Sequence, residues 1–156
     1  MTLVAQAIAA AVMLLHVYIF LLETVLFQTR GRKVFGISKE DAVVLAPAMS
    51  NQGCYNSFLA GALALGFVLP NPATAQAFTV FGLVCVAIAG IWGAATVNRR
   101  ILLVQTVPAV LGLGAIGQLA ARLYTATGAH VLAADLSAGR VALARQAGVD
   151  AFVPET

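Results

Sequence analysis

The chain has 156 residues, of which 61% are hydrophobic and only 10% are charged, and its formal net charge is +3. Ordinary soluble domains carry about 25% charged residues, so the composition excludes that class and is typical of an integral membrane protein. The nine lysines and arginines lie at segment ends and in the tail, where they act as topology signals, so a nucleic-acid-binding surface is also excluded.

Four apolar runs are long enough to form membrane-spanning helices, which need about 20 residues to cross the hydrocarbon core. The predicted spans are residues 3–27, 51–69, 75–97 and 101–121. The first run is too long for a secretory signal and has no basic residue before it, so we interpret it as a retained helix. A shorter apolar stretch, residues 42–48 with Pro47, is either a surface helix or the beginning of the second span.

The sequence therefore predicts an all-α protein with a four-transmembrane-helix bundle over residues 1–121 and a polar C-terminal tail over residues 122–156. Loops 28–50 and 98–100 contain the basic residues Arg30, Arg32, Lys33, Lys39, Arg99 and Arg100. Positive loops stay in the cytoplasm, so we expect a multi-pass protein of the cell membrane with an outward N-terminus. The tail lies outside if there are four spans and inside if there are three.

Polar residues inside the first span are candidates for a site. His16 and Glu23 are seven residues apart and share one helical face. A carboxyl inside a membrane segment is costly, faces the bundle interior and marks a functional or packing site. The alternative is that Glu23 reaches the interface and pairs with a loop arginine. For His16 we expect a hydrogen bond to another helix.

The second span opens with the polar segment NQGCYNSF. By their three- and four-residue spacing Gln52, Tyr55 and Asn56 share a face. The candidate intramembrane binding cluster is His16, Glu23, Asn51, Gln52, Tyr55 and Asn56. Two uses stay open, namely packing with hydrogen bonding or a pocket for a small ligand or an ion built with Glu23.

Small residues repeat every four positions in the same span, at Gly53, Ser57 and Gly61. Such a stripe lets another helix approach closely, and it predicts a homo-oligomer through small-residue helix faces. Cys54 and Cys85 both lie in apolar stretches, and their spacing indicates neither a metal site nor a disulfide. We expect both cysteines to fill space as small apolar side chains.

Three segments in order resemble the small bacterial integral-membrane family known as domain of unknown function 1304. They are ETVLFQTRGRKVFGIS, NQGCYNSFLAGAL and GIWGAATVNRRILLVQTVPAVLGL. The resemblance covers residues 1–113 and implies four transmembrane helices in an inner membrane. It also implies a characteristic polar set, here Glu23, Asn51, Gln52, Tyr55 and Asn56. It implies no biochemical activity.

The end of the chain carries a second resemblance. Residues 109–153, which include GLGAIG and VLAADLS, resemble the start of the NAD-binding domain of medium-chain zinc-type alcohol dehydrogenases, a truncated Rossmann α/β fragment. The resemblance implies that Gly112, Gly114 and Gly117 approach a pyrophosphate and that Asp135 holds the ribose of NAD. The zinc ligands, the substrate domain and the catalytic residues of those enzymes are missing.

The two interpretations compete for the same residues, because a nucleotide fold whose first strand begins near Ala109 leaves residues 101–108 too short to cross a membrane. We therefore expect four spans in a small integral membrane protein that works as a bundle, a scaffold or a minor transporter subunit. Lipid is the expected partner, with no catalytic residues, no metal and no cofactor. The alternative is a membrane-anchored fragment of an NAD-dependent oxidoreductase with a cytoplasmic dinucleotide-binding tail.

Overall fold

A computed structural model describes residues 3–114, 117, 132–134, 138–146 and 148–153. The described part is predominantly α-helical, as the sequence predicts. Its helices are α1 (Leu3–Glu23), α2 (Arg32–Val34), α3 (Lys39–Val68), α4 (Pro72–Thr96), α5 (Leu102–Gly114) and α6 (Ala138–Gln146). Two short strands, β1 (Leu132–Ala134) and β2 (Asp150–Phe152), flank α6.

The first helix ends at Glu23, earlier than the predicted span, which runs to residue 27. A π-helical turn, Phe27–Gly31, follows and leads directly into α2. Gly31 is buried there, and a Cβ atom at this position would collide with the backbone oxygen of Leu22. The turn therefore requires glycine because it folds back against the last turn of α1.

The third helix begins at Lys39, well before the predicted span 51–69, and it continues through Pro47. Ser38 caps its N-terminus, because the Ser38 hydroxyl oxygen accepts a hydrogen bond from the backbone N–H of Asp41 at 3.0 Å. The acidic side chains of the first turn, Glu40 and Asp41, suit the positive end of the helix dipole. Residues 42–48 are therefore the beginning of the long helix and not a separate surface helix.

A short turn reverses the chain between α3 and α4. Asn71 caps α4 by accepting a hydrogen bond from the N–H of Thr74 at 3.0 Å, and Pro72 occupies the first helical position. The turn places α4 antiparallel to α3, and Gly66 lies so close to Thr79 that a Cβ atom would meet the threonine Oγ1. This close approach brings α3 and α4 together near the turn that joins them.

The most extensive helix contacts place α3 between α1 and α4, and the segment that begins α5 packs on α4. The shared core is formed by Ala5, Val12, Leu63, Leu83, Val86, Ala87 and Ala109. Because these residues come from α1, α3, α4 and α5, one apolar core holds the four longest helices of the described chain together.

Two described helices, α1 and α4, are long and apolar enough to cross a membrane. Only 22% and 33% of their most apolar windows are buried within the protein, whereas the core helix of a soluble protein would be mostly buried. α3 does not reach the same hydropathy, because its middle contains the polar segment NQGCYN. The described part of α5 is a shorter apolar helix.

The described residues 132–153 form a small unit of two strands and one helix. β1 and β2 pair in parallel with Leu132 opposite Asp150, and α6 makes the crossover between them. The unit has its own small core of Val141, Ala144, Val149 and Ala151. The Arg145 side chain ties α6 to the second strand, since its Nε donates to the backbone oxygen of Ala151 at 2.7 Å.

Candidate functional site

A buried hydrogen bond joins the end of α1 to the middle of α3. The Nδ2 of Asn56 donates to the Oε2 of Glu23 at 2.8 Å, and the two residues are only 8% and 7% exposed. The same amide also donates to the backbone oxygen of Gln52 at 3.3 Å. A carboxylate therefore lies inside the helix interface with an amide as its partner, an arrangement that buried polar groups require.

The close approach of the two helices at this point depends on Gly53. A Cβ atom on Gly53 would lie 2.6 Å from Cγ2 of Thr24, 3.2 Å from Cβ of Glu23 and 3.3 Å from the backbone oxygen of Phe20. Thr24 is itself held in place, because its hydroxyl donates to Phe20 O at 2.6 Å. Gly53 thus lets α3 move near enough for the Asn56 side chain to reach Glu23.

Within the described chain, Glu23 forms no ion pair with a loop arginine, which was the alternative expectation for this residue. Two arginines that follow α1 have other contacts. Arg30 lies over the ring of Tyr18, with 5.8 Å between the guanidinium carbon and the ring centroid, and Arg32 donates to the backbone oxygen of Gln28 at 3.1 Å. The Glu23 carboxyl group is therefore paired with an amide and not with either of these arginines.

His16 is fully buried on the same face of α1 as Glu23. Its Nδ1 lies 2.9 Å from the backbone oxygen of Val12, and since a carbonyl only accepts, Nδ1 is the donor. The other ring nitrogen, Nε2, is buried and has no hydrogen-bond partner among the described residues. The expected hydrogen bond from His16 to another helix is therefore wrong, because the ring bonds to its own helix. The helical rise separates His16 from Glu23 by about 10 Å along the axis.

The other members of the predicted cluster lie elsewhere on α3. Asn51, Gln52 and Tyr55 are exposed on its surface, and the ring of Tyr55 contacts Phe58 edge-on at 6.1 Å. Each residue turns the helix by about 100°, so only part of a contiguous polar segment can face α1. The structure brings Glu23 and Asn56 together, with His16 on the same face, and it leaves the remaining three residues outside the contact.

The sequence interpretation missed a second polar contact, between α4 and α5. The hydroxyl of Thr106 donates to the backbone oxygen of Ala87 at 3.3 Å, and both residues are buried. Gly90 makes room for it, since a Cβ atom there would collide with Thr106 Oγ1. The sequence shows Thr106 in one apolar run and the small residues Ala87 and Gly90 in the preceding run. Neither feature indicates that Thr106 bonds to the backbone of Ala87.

The alternative nucleotide site requires a strand, a turn and a helix around its glycines. The structure instead places the first two of these glycines within one helix. Gly112 and Gly114 lie in α5, where a Cβ atom on Gly112 would approach Leu83 Cδ1 at 3.0 Å and Ile8 Cγ2 at 3.2 Å. Gly117 is helical and exposed, and Asp135 lies outside the described residues. Gly112 is thus covered by side chains of α1 and α4, where a nucleotide site would need its backbone open to a pyrophosphate.

Within the described ranges, no group of three or more His, Cys, Asp or Glu side chains is arranged to hold a metal ion. Cys54 is exposed and Cys85 is half-buried, and both are free thiols. A shallow depression of about 440 Å³ lies in the C-terminal unit, next to Arg145 and Phe152. It contains none of the predicted cluster residues.

These features define an all-α protein with two candidate membrane-spanning helices and a buried carboxylate–amide contact between α1 and α3. The family described as "Protein of unknown function (DUF1304)" matches residues 10–116, and the chain belongs to this family. The resemblance predicted for the helical region is thereby confirmed. Searches of curated proteins and of solved structures find no match. Nothing in the comparisons supports the resemblance of the C-terminal segment to alcohol dehydrogenases.

Proposed function

We propose that the chain is a multi-pass membrane protein with four spans, α1, α3, α4 and α5, and that Glu23 forms a site for a small cation at the contact of α1 with α3. The observation that carries this proposal is the buried carboxylate of Glu23, which has Asn56 as its hydrogen-bond partner and no cationic partner within the described chain. Ionisable groups in membrane segments mark ion and substrate pathways.

The packing supports the span count. α3 lies between α1 and α4, which both have the length and apolarity to cross. Because α3 packs along two helices that cross the membrane, we expect α3 to cross the membrane with them. The Asn56 side chain, which contacts Glu23, is then shielded from lipid. α5 packs on α4 through the contact of Thr106 with Gly90, and the apolar sequence continues to residue 121, which is enough for a span.

The orientation follows from the basic loops. The loop after α1 and the loop after α4 carry the arginines and lysines, so both belong in the cytoplasm. Glu23 is the last residue of α1 and precedes the first of these loops, and its site would open toward the cytoplasm. A cation from the cytoplasm would then reach the carboxylate without crossing the apolar core.

The ligand class follows from the donor set. A carboxyl oxygen bonded to one amide retains acceptor capacity. If the carboxyl group is ionised in apolar surroundings, its negative charge favours a bound positive charge. One carboxylate and one amide do not provide the six to eight oxygen ligands of a calcium site. A monovalent ion or a primary ammonium group suits the site, as expected of a minor transporter subunit or a ligand-binding bundle.

A reporter fused after Thr156 tests the four spans. With four spans the C-terminus lies outside the cytoplasm, so an alkaline phosphatase fusion is active and a green fluorescent protein fusion is dark. The reverse pattern would show three spans and would move the tail to the cytoplasm. Fusions at Ser38, in the first basic loop, provide the control, and they should be fluorescent under either span count.

Thermal unfolding of the detergent-purified protein tests the cation site. Sodium, potassium and methylammonium chloride are titrated at constant ionic strength, and a ligand that binds the folded state raises the unfolding temperature in a saturable manner. We expect the rise for at least one cation in the natural protein and its loss in Glu23→Gln, which retains the shape of the side chain. Glu40→Gln is the matched control, because Glu40 is exposed in the first turn of α3. A response that Glu23→Gln leaves unchanged would reject the site.

A further inference from the structure

A cation from the segment after α1 lies against the exposed face of that helix. The guanidinium carbon of Arg30 is 5.8 Å from the centroid of the Tyr18 ring, within the range of about 6 Å in which a ring face attracts a cation. α1 ends at Glu23, and Tyr18 lies about 7.5 Å before that end by helical rise. The Arg30 side chain is therefore folded back along α1.

The guanidinium of Arg30 still has unused hydrogen-bond donors. A contact with a ring face uses the positive charge, whereas the five N–H groups of an arginine bind acceptors. Within the described residues, the Arg30 side chain has no hydrogen-bond acceptor and no carboxylate partner. Arg32 differs, since its Nε donates to the backbone oxygen of Gln28 at 3.1 Å. Arg30 is thus held against α1 while its donors remain available to an anion.

Apolar side chains continue this face of α1 from Tyr18 toward the N-terminus. Ala11, Leu14 and Tyr18 follow one another in steps of three and four residues, which keeps them on one line of the helix, and all three are exposed. The buried positions of α1 lie on the opposite side. A ligand that contacts both Arg30 and this line needs a negative group at one end and an apolar chain behind it.

An anionic phospholipid has this combination of groups. α1 has 21 residues, about 32 Å by helical rise, so a membrane-spanning α1 just crosses a hydrocarbon core of about 30 Å and ends near the lipid phosphates. This step rests on α1 as a span of the proposed topology and does not use the cation site. Residues 24–38 contain Arg30, Arg32 and Lys33 and no acidic residue, so their charge attracts anionic headgroups.

We propose that Arg30 and Tyr18 form a binding site for an anionic phospholipid at the end of α1. The guanidinium donates two parallel hydrogen bonds to the lipid phosphate, which suits the planar fork of an arginine. The Tyr18 ring holds the guanidinium in place, and an acyl chain lies along Leu14 and Ala11. A free phosphate ion would make only the contact with the guanidinium, so the apolar line favours the lipid.

Thermal unfolding of the detergent-purified protein with added lipid tests the occupant. Phosphatidylglycerol, phosphatidylcholine and inorganic phosphate are titrated separately at constant ionic strength, and a ligand of the folded state raises the unfolding temperature in a saturable manner. We expect the largest rise with phosphatidylglycerol, because the choline group of the other lipid offsets the charge of its phosphate. No rise with phosphatidylglycerol, an equal rise with phosphatidylcholine, or an equal rise with inorganic phosphate would overturn the proposal.

Substitutions of Arg30 test whether one cation or the general charge binds the lipid. Arg30→Gln removes the charge and most donors, and we expect the half-saturating phosphatidylglycerol concentration to rise about three- to tenfold. Arg30→Lys keeps the charge without the planar fork and should also raise it. Arg99→Gln is the matched control, because Arg99 is exposed in the other basic loop. Equal effects of Arg30→Gln and Arg99→Gln, or an unchanged Arg30→Lys variant, would overturn the site.

A substitution of Tyr18 tests the position of the guanidinium. Tyr18→Leu keeps the apolar line but removes the ring beneath the cation, and we expect the half-saturating concentration to rise about two- to fivefold. Tyr55→Leu is the matched control, because Tyr55 is also exposed and its ring contacts Phe58. Equal half-saturating concentrations for the two variants would reject Tyr18 as part of the site.

Extraction of membranes with alkaline carbonate separates this proposal from the proposed topology. A chain that stays in the membrane but shows no response to phosphatidylglycerol keeps its spans and rejects the lipid site alone. A chain that carbonate releases is not an integral membrane protein, and the spans and the lipid site then fail together.

Discussion

Gly53 and Gly61 are both glycines of α3, yet their surroundings are opposite. Gly53 is buried against α1, where three atoms lie within 3.3 Å of a Cβ position, whereas Gly61 is exposed and a Cβ atom there would meet nothing within 4 Å. Within the described chain, Gly53 packs against another helix and Gly61 does not, so the two glycines do not share one packed face of a single copy. Four residues turn a helix by about 40° more than one full turn, so two such steps separate the two glycines by about 80°.

The difference teaches that spacing of small residues does not identify the packed face. What distinguishes Gly53 is a polar neighbour on the other helix, because α3 has to approach closely for Asn56 to reach Glu23. Among the described residues, nothing lies within 4 Å of a Cβ position at Gly61. The face of α3 with Gly53 therefore packs against α1 beside the hydrogen bond of Asn56 with Glu23, whereas the face with Gly61 is exposed. Substitutions on the two faces test this difference.

The largest expected effect comes from enlarging Gly53. Gly53→Leu forces its side chain into Thr24 and the backbone of Phe20, and we expect it to lower the free energy of unfolding by about 3 kcal/mol or more. Gly61→Leu is the matched control and should change the stability of the monomer by less than about 0.5 kcal/mol. Unfolding by sodium dodecyl sulfate, followed by circular dichroism at a dilution that keeps the protein monomeric, measures both. Equal losses in the two variants would show that the faces do not differ.

The next largest effect comes from breaking the pair of Glu23 and Asn56. Glu23→Leu leaves the buried Asn56 amide with only its 3.3 Å contact to the backbone oxygen of Gln52, and we expect a loss of about 1–3 kcal/mol. Asn56→Leu should cost a similar amount, because it leaves the carboxylate alone. The double variant should be less destabilised than the sum of the two, and the difference in this cycle measures the coupling.

Additive losses would contradict the pairing of Glu23 with Asn56. A neutral Glu23→Leu would go further, since it would show a side chain that reaches the membrane surface, and it would remove Glu23 as the centre of the proposed cation site.

Much of the helical architecture could be predicted, because apolar runs fix where helices form. The start of α3 could not be predicted from hydropathy, although Ser38 followed three residues later by Asp41 is a capping pattern visible in the sequence. Pro47 suggested a break, yet α3 continues through it. A helix interior accepts a proline at a cost that packing can offset, so the proline alone does not end the helix.

The site could be predicted only as a set of residue types. Glu23 and Asn56 are 33 positions apart in sequence, and no local pattern says which of four neighbouring polar residues of α3 faces α1. The rotation of α3 decides this, and that rotation is fixed by distant contacts such as Leu63 in the core and Gly53 against α1. Sequence spacing relates positions within one helix and contains no information on its rotation against another.

A smaller effect is expected at His16, which contrasts with Glu23 on the same face of α1. Its Nε2 is buried and has no hydrogen-bond partner in the described part of the chain, so removing the ring removes an unsatisfied polar atom. We expect His16→Leu to be neutral or to stabilise the protein by about 1 kcal/mol in the same unfolding assay. His16→Asn is the control, because it keeps a buried polar group and should be less stable than His16→Leu. A loss above about 1 kcal/mol for His16→Leu would show that the ring has an essential contact.

The smallest expected effect concerns NAD. Gly112 packs in α5 against Leu83 and Ile8, so its backbone is not free to approach a pyrophosphate unless α5 unwinds and leaves the core. Calorimetric titration of the detergent-purified protein with NAD should therefore show no saturable heat up to about millimolar concentration, which corresponds to a binding free energy weaker than about −4 kcal/mol. Gly114→Leu provides the discriminating variant. Micromolar binding that Gly114→Leu abolishes would mean that the segment after residue 109 leaves the bundle to form a nucleotide site, and it would reverse the choice of four spans over three.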